Sequence, residues 1–452
     1  SSDEPGTLPR FWRGSHRSIC RLVRTEMTEP VLQDLFNWID ETPSPYHAAS
    51  NACARLADSG FTVRQPDEHW NDLEKVVVKW GGTVIAAAFS PKINPDFLRF
   101  RIVGAHTDSP NLRIKPKPEF GSAGYQQLGV EIYGGVLLNS WLDRDLGLSG
   151  RVVVSDGDSH ETLLFHSNQP LLRVPQLAIH LDREANEGLK LDRQMHLSPV
   201  WGLGDSKEGA FRSFLADELN VSATEIVSWD VMCHDLTPSS VLGLDEQLYA
   251  APRIDNLASC HAALCALGSL DTLPENTIAV VALFDHEEVG SESSTGAKGA
   301  LLSNSLERFA TARASSREQY LRALNRSFCV SADGAHAVHP NYVDRHEPGH
   351  HVALNGGPVI KVNANVRYAT DAESSGQFQA YLKSANIPFQ QYVHRTNLPC
   401  GSTIGPITAA QLGMPVIDVG SAQLSMHSAR EMGGAHDPAL LTSGLSAFFA
   451  FD

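Results

Sequence analysis

Apolar positions along the chain fall into two rhythms. In "SPYHAASNACARLADSG" Tyr46, Ala49, Cys53 and Leu56 recur at helical spacing, Ser44 can cap, Pro45 suits the first helical position and Gly60 closes the run. This spacing predicts a helix. The runs that follow, "KVVVKW", "TVIAAAF" and "FLRFRIVGA", are rich in β-branched and aromatic residues and are separated by Gly or Pro, as strands are. From about residue 110 to 245 the texture changes to short strands broken by Gly and Asp turns, such as "VEIYGGVLL" and "GRVVVSDGDSHETLLF". One helical patch, "GAFRSFLADELN", interrupts them. After "LYAAPRID" helices and buried strands alternate again through "DNLASCHAALCAL", "IAVVALF", "SFCVSAD" and "MPVIDVG". Such alternation predicts an α/β fold with helices on both faces of a sheet and sites at the strand ends. The same texture flanks the β-rich stretch on both sides. The expected organisation is therefore a discontinuous α/β domain, residues 27–109 and 246–452, with residues 110–245 inserted as a separate β-rich domain. Residues 1–26, arginine-rich and without apolar periodicity, read as a leader or an extension outside the fold.

Composition narrows the function. A chain of 452 residues, 42% hydrophobic and 19% charged, can bury a large core. No apolar run approaches the roughly 20 residues that cross a bilayer, and no secretory signal opens the chain, so a cytoplasmic protein is expected. Seven cysteines, an odd number with no C-x-x-C pair, favour reduced thiols over disulfides or a thiolate zinc site. A net charge of −16 argues against nucleic-acid binding and repels acidic ligands, which would need a local positive site.

The chemistry gathers where apolar strands stop. "TIAVVALFDHEEVGSES" runs from a buried-looking strand into two adjacent carboxylates, Glu287 and Glu288. His106 and Asp108, Asp255, Asp333 and His427 hold similar places, and none of the set falls within residues 110–245. Each has a bland reading alone; for Asp255, beside Asn256 at the start of a helix, capping is the better single-residue reading. Their recurrence at strand ends shifts that balance. Two imidazoles with several carboxylates and no thiolate suit a hydrolytic site for zinc, cobalt or manganese. Two ions roughly 3.5–4 Å apart can share one carboxylate and one water, each taking one His and one further carboxylate. A carboxylate left over serves as general base, which gives the Glu287–Glu288 doublet a purpose. Asp108, two residues beyond His106, is placed to accept the second imidazole N–H.

Seven stretches, "GAHTDSPNLRIK", "APRIDNLASC", "DHEEVGSES", "SADGAHAVHPNY", "GGPVIKVNANVRYA", "PCGSTIGPI" and "SAQLSMHSAREM", resemble the aspartyl aminopeptidases of the M18 metallopeptidase family in content and order. The resemblance spans nearly everything from Met27 onward. It implies a metallopeptidase α/β sandwich domain interrupted by a dimerisation domain, and a tetrahedral assembly of twelve subunits. It further implies His106, Asp255, Glu288, Asp333 and His427 as metal ligands, with Asp255 as the bridge, and Glu287 as catalytic base. His106 and Asp333 would then hold one ion, Glu288 and His427 the other. The implied substrate is a peptide with an acidic N-terminal residue. Lys361, a lone Lys in the apolar run "GPVIKVN", becomes the candidate for its side chain, with His336 and His339 as a nearby polar wall; the alternative is a Lys snorkelling from an edge strand. His180 in "PQLAIHLDRE" lies where, by the same resemblance, one subunit reaches its neighbour's active site and an imidazole donates to the developing oxyanion.

Other amide hydrolases, a deacylase or a carboxypeptidase, use the same ligand set, and residue pattern alone does not separate them. A metal-stabilised scaffold with dead chemistry predicts a missing ligand or base, whereas all six positions are filled. No G-x-S-x-G elbow surrounds a serine, and Cys400 sits in a Gly-rich turn, which leaves little for a serine or cysteine hydrolase.

Overall fold

The computed structural model describes residues 28–71 and 73–452, so the expected leader, residues 1–26, lies outside the described residues. A nine-stranded mixed sheet forms the centre, and its middle is Thr83–Phe89, Thr277–Phe284, Arg99–His106, Phe328–Ala332 and Val416–Gly420, in that spatial order. The last four run parallel, and Thr83–Phe89 is antiparallel to its neighbour. Because successive side chains alternate between faces, Ala279, Val281 and Leu283 pack into one core while Ile278, Val280, Ala282 and Phe284 pack into the other. Helices Thr28–Asp40, Pro45–Asp58, Ile254–Gly268, Ala372–Ser384 and Asp437–Ala450 cover the first face; Leu301–Thr311, Arg317–Asn325 and Ile404–Leu412 cover the second. Both faces being buried explains why the central strands read as unbroken apolar runs.

Local signals behave as their chemistry requires. Ser44 caps Pro45–Asp58 by accepting the His47 N–H, and Tyr46, Ala49, Cys53 and Leu56 are all buried. Residues 111–235 contribute a second, antiparallel sheet of six strands with its own apolar cluster around Leu112, Leu148, Phe165, Phe211 and Val231. The helical patch in this stretch is Ala210–Leu219. A third sheet, ordered Ser240–Leu242, Leu248–Ala251, Glu431–Gly434, Ala422–Leu424 and Ala335–His336, lies beside the carboxyl ends of the central strands. Among the described residues no helix is long and apolar enough to cross a membrane, and the six cysteines present are free.

Candidate active site

Parallel strands end on one edge, and that edge collects the chemistry. Arg99–His106 terminates in His106; Thr277–Phe284 leads into Glu287 and Glu288; Phe328–Ala332 leads into Asp333. His427 lies in the loop after Ala422–Leu424, and Asp255 starts the helix Ile254–Gly268. Asp255 is not a cap. One of its oxygens, Oδ1, is 3.2 Å from His106 Nε2, and the other, Oδ2, is 3.3 Å from His427 Nε2. His106 Nε2 also lies 3.6 Å from Asp333 and 3.8 Å from Glu287, and His427 Nε2 lies 3.3 Å from Glu288. Two compact trios result, His106–Asp255–Asp333 and Asp255–Glu288–His427, each with ligand atoms within 4.8 Å of one another and Asp255 common to both. Glu287 stands between them, in a third such group with His106 and Glu288.

Orphaned atoms test whether these residues fit metal ions. Asp255 Oδ1 and Glu288 Oε1 are buried and accept no hydrogen bond, a costly state that a divalent cation relieves. Burial pushes Glu287 up to about 8, helped by Asp333, Asp108 and Asp255 and opposed by His106. Burial, Asp255 and Glu287 likewise raise Glu288 well above the carboxylate range. Although burial opposes it, Asp255 holds His427 up at about 9. So much proton affinity at one spot marks a cluster short of positive charge. The residues fit a pair of divalent ions, with nitrogen and oxygen donors only.

The surroundings hold the cluster in place. The Asp108 carboxylate accepts the Glu287 N–H at 3.1 Å on one oxygen, and the Glu288 N–H at 3.1 Å and the Tyr133 hydroxyl at 2.7 Å on the other. The closer partner of His106 Nδ1 is the Asp108 carbonyl at 3.0 Å, with the carboxylate at 3.4 Å. Asp108 thus orients the ring mainly through its backbone and spends its side chain on the glutamate turn. Fully buried Glu431 accepts the Asp255 N–H at 2.9 Å and the His427 N–H at 2.7 Å, tying both trios to the third sheet. Gly135 accepts from His427 Nδ1 at 2.9 Å, and a Cβ at Gly135 would sit 3.1 Å from that nitrogen. No local pattern in the sequence marks Tyr133, Gly135 or Glu431, and the first two belong to the stretch expected to stand apart from the site.

A cleft of about 400 Å³ opens over the cluster and is lined also by His336, Lys361, Tyr368 and Thr403. Lys361 is 2% exposed and lies on Val359–Val362, an inner strand between Val416–Gly420 and Gln390–Val393, so it is not an edge-strand lysine. Its ammonium donates to the carbonyls of Gly334 at 3.0 Å and Asp333 at 3.4 Å and lies 5.0 Å from the centre of the Tyr368 ring. Burial and the nearby Lys361 lower His336 to about 4, which leaves a neutral imidazole in the wall. His339 does not line this cleft; its Nδ1 accepts the Asn341 N–H and its ring packs on Tyr342. His180 is exposed on a turn and does not line the cleft of its own chain.

Fold and cluster together define the class, an α/β metallopeptidase. Residues 38–449 match the family model described as aminopeptidase I zinc metalloprotease (M18). The chain is 51% identical over 419 residues to the probable M18 family aminopeptidase 2 of Streptomyces coelicolor, covering 92% of this chain and 96% of that one. Against the namesake of Mycobacterium leprae it is 47% identical over 423 residues, covering 93% and 98%. Among solved structures it superposes on the chain from the complex of Ape4 and Nbr1 with TM-score 0.90 and 35% identity, covering 93% and 86%. The S. cerevisiae mApe1 dodecamer gives TM-score 0.81 and 25% identity, covering 93% and 96%. The chain belongs to the M18 family of zinc metalloaminopeptidases.

Proposed function

We propose that this chain removes N-terminal Asp or Glu from peptides, using two divalent ions, zinc by preference with cobalt or manganese able to serve. Asp255 carries the two-metal part, because its oxygens divide between His106 and His427. His106 and Asp333 would hold one ion, Glu288 and His427 the other. The ions, when bound, polarise the scissile carbonyl and acidify the attacking water. Glu287 takes the proton from that water and returns it to the leaving amine. Asp108 keeps Glu287 and Glu288 aimed by holding both of their N–H groups. Lys361 receives the acidic side chain. Its hydrogen bonds to the Asp333 and Gly334 carbonyls leave one ammonium donor for a carboxylate in the cleft, against a chain of net charge −16. Neutral His336 completes that wall.

Residues 110–245 act as a dimerisation domain inserted into a catalytic domain of residues 27–109 and 246–452, and dimers build a tetrahedral dodecamer. Support comes from the dodecameric mApe1 relative and from the apolar side chains that flank His180 in the chain: Leu177, Ile179 and Leu181 are 57%, 45% and 75% exposed. In the assembly His180 donates to the oxyanion of the neighbouring site. Mixed oligomers of His180→Ala and Glu287→Gln chains then regain activity that neither has alone; verified mixed oligomers without recovery would remove His180 from catalysis. The free thiols agree with a reducing compartment, the cytoplasm.

Asp-, Glu-, Ala- and Leu-anilides assayed with and without chelator test the whole reading. Cleavage confined to Asp and Glu and abolished by chelator supports it; equal cleavage of Leu-anilide refutes the acidic specificity.

A further inference from the structure

A second group of titratable side chains lies away from the cleft, where three helices meet. Asp34 comes from Thr28–Asp40, Arg55 from Pro45–Asp58, and His261 and Cys265 from Ile254–Gly268. Cys265 Sγ is 3.3 Å from Arg55 Nη2 and 3.5 Å from His261 Nε2. His261 Nε2 lies 2.8 Å from Asp34 Oδ2, and Arg55 pairs with Asp34 through two guanidinium nitrogens. His261 is fully buried, whereas Cys265 is partly open to solvent.

We propose that Cys265 is a modification site, a thiol activated by Arg55 and His261 that hydroperoxides oxidise to a sulfenic acid. Asp34, His261 and Cys265 alone could suggest a metal site, since their ligand atoms are within 4.8 Å of one another. Arg55 decides against it, because a cation bound there would displace a guanidinium already held by Asp34 and Cys265. The same guanidinium and the imidazole stabilise a sulfur anion. Burial and the Asp34 carboxylate, whose Oδ2 is 3.9 Å from the sulfur, oppose ionisation of Cys265, yet His261 and Arg55 outweigh them and hold the thiol below its ordinary value. Cys53, Cys233 and Cys260 behave oppositely: burial pushes them up to about 11, 12 and 12. In the reaction the sulfur anion attacks the distal peroxide oxygen and the O–O bond breaks. Sulfur loses two electrons as the S–O bond forms, and the departing alkoxide or hydroxide takes a proton from water.

Full-length, zinc-loaded enzyme treated with iodoacetamide over a pH series, with fragment-resolved mass spectrometry, reads Cys265 apart from the other thiols. The labelling midpoint at Cys265 is expected below that of the same residue in urea-unfolded chain. Arg55→Gln, which keeps the side chain polar, is expected to slow labelling at neutral pH by about tenfold without changing it at Cys400. Hydrogen peroxide followed by dimedone is expected to leave an adduct on Cys265 and none on Cys53, Cys233 or Cys260. A midpoint equal to that of the unfolded chain, or no dimedone adduct at Cys265, overturns the proposal even if Arg55→Gln does not fold. Protection of Cys265 by one equivalent of zinc beyond the active-site ions overturns it in favour of a metal site.

Discussion

Asp108→Asn separates what the Asp108 side chain does from what its backbone does. The carboxylate accepts three hydrogen bonds, from Glu287 N, Glu288 N and Tyr133 Oη, shared between two oxygens. A carboxamide has one acceptor. With its oxygen in the position that serves both Glu288 and Tyr133, its NH₂ faces the Glu287 N–H, so one donor loses its partner and meets another donor. A hydrogen bond to a charged group contributes about 1.5–3 kcal/mol net, and tenfold in rate corresponds to about 1.4 kcal/mol. If that loss appears as misplacement of Glu287 in the transition state, kcat falls roughly 10- to 150-fold. Metal content stays near wild type, because the Asp108 carbonyl, which the substitution keeps, is the closer partner of His106 Nδ1. Steady-state hydrolysis of an Asp-anilide and elemental analysis of the same preparation read both quantities. A variant with wild-type kcat would show that the glutamate turn holds itself; one that loses its metal would show that the carboxylate, not the carbonyl, orients His106.

Glu287→Gln conserves volume but cannot take the proton of water; it should keep metal and lose about 10²–10⁴-fold in turnover, and near wild-type turnover with metal bound would remove Glu287 as base. Lys361→Met should weaken cleavage of Asp-peptides far more than residual cleavage of Ala-peptides, and equal losses would exclude it from side-chain recognition. Metal binding should release protons: without ions Glu287 near 8 and His427 near 9 are held above their ordinary values and carry protons at neutral pH that bound ions must displace. Affinity therefore rises with pH through neutrality, and calorimetry in buffers of different ionisation enthalpy should register the release; an affinity flat between about pH 6 and 8, the range below these values in which both groups still hold protons, would contradict it.

Residues that announce themselves in sequence are those whose role is set locally. "IAVVALF" reads as a doubly buried strand because both faces of Thr277–Phe284 are covered, and His106, Glu287 and Asp333 are visible because each lies at or within three residues of the carboxyl end of a parallel strand. Asp255 is ambiguous on local grounds: its place at a helix start suits a cap, and only the approach of His106 and His427 from elsewhere reveals another use. Glu431 is invisible for the same reason. Its strand joins the site by pairing with Leu248–Ala251, and no spacing encodes that its carboxylate meets the N–H groups of both Asp255 and His427. Tyr133 and Gly135 were hidden by a change of texture, since the β-rich stretch looks separate although its edge reaches Asp108 and His427. Lys361 shows the limit of strand reasoning: a lysine in an apolar run suggests an edge, yet its strand is flanked on both sides and the ammonium ends in carbonyl oxygens.

The central claim is that Asp255 bridges two ions, and anomalous diffraction from zinc-loaded crystals tests it most directly. Two peaks roughly 3.5–4 Å apart are expected. One should be bound by His106 and Asp333, the other by Glu288 and His427, with one Asp255 oxygen on each. A single peak at full zinc occupancy, or two peaks with Asp255 bound to only one, would contradict the account.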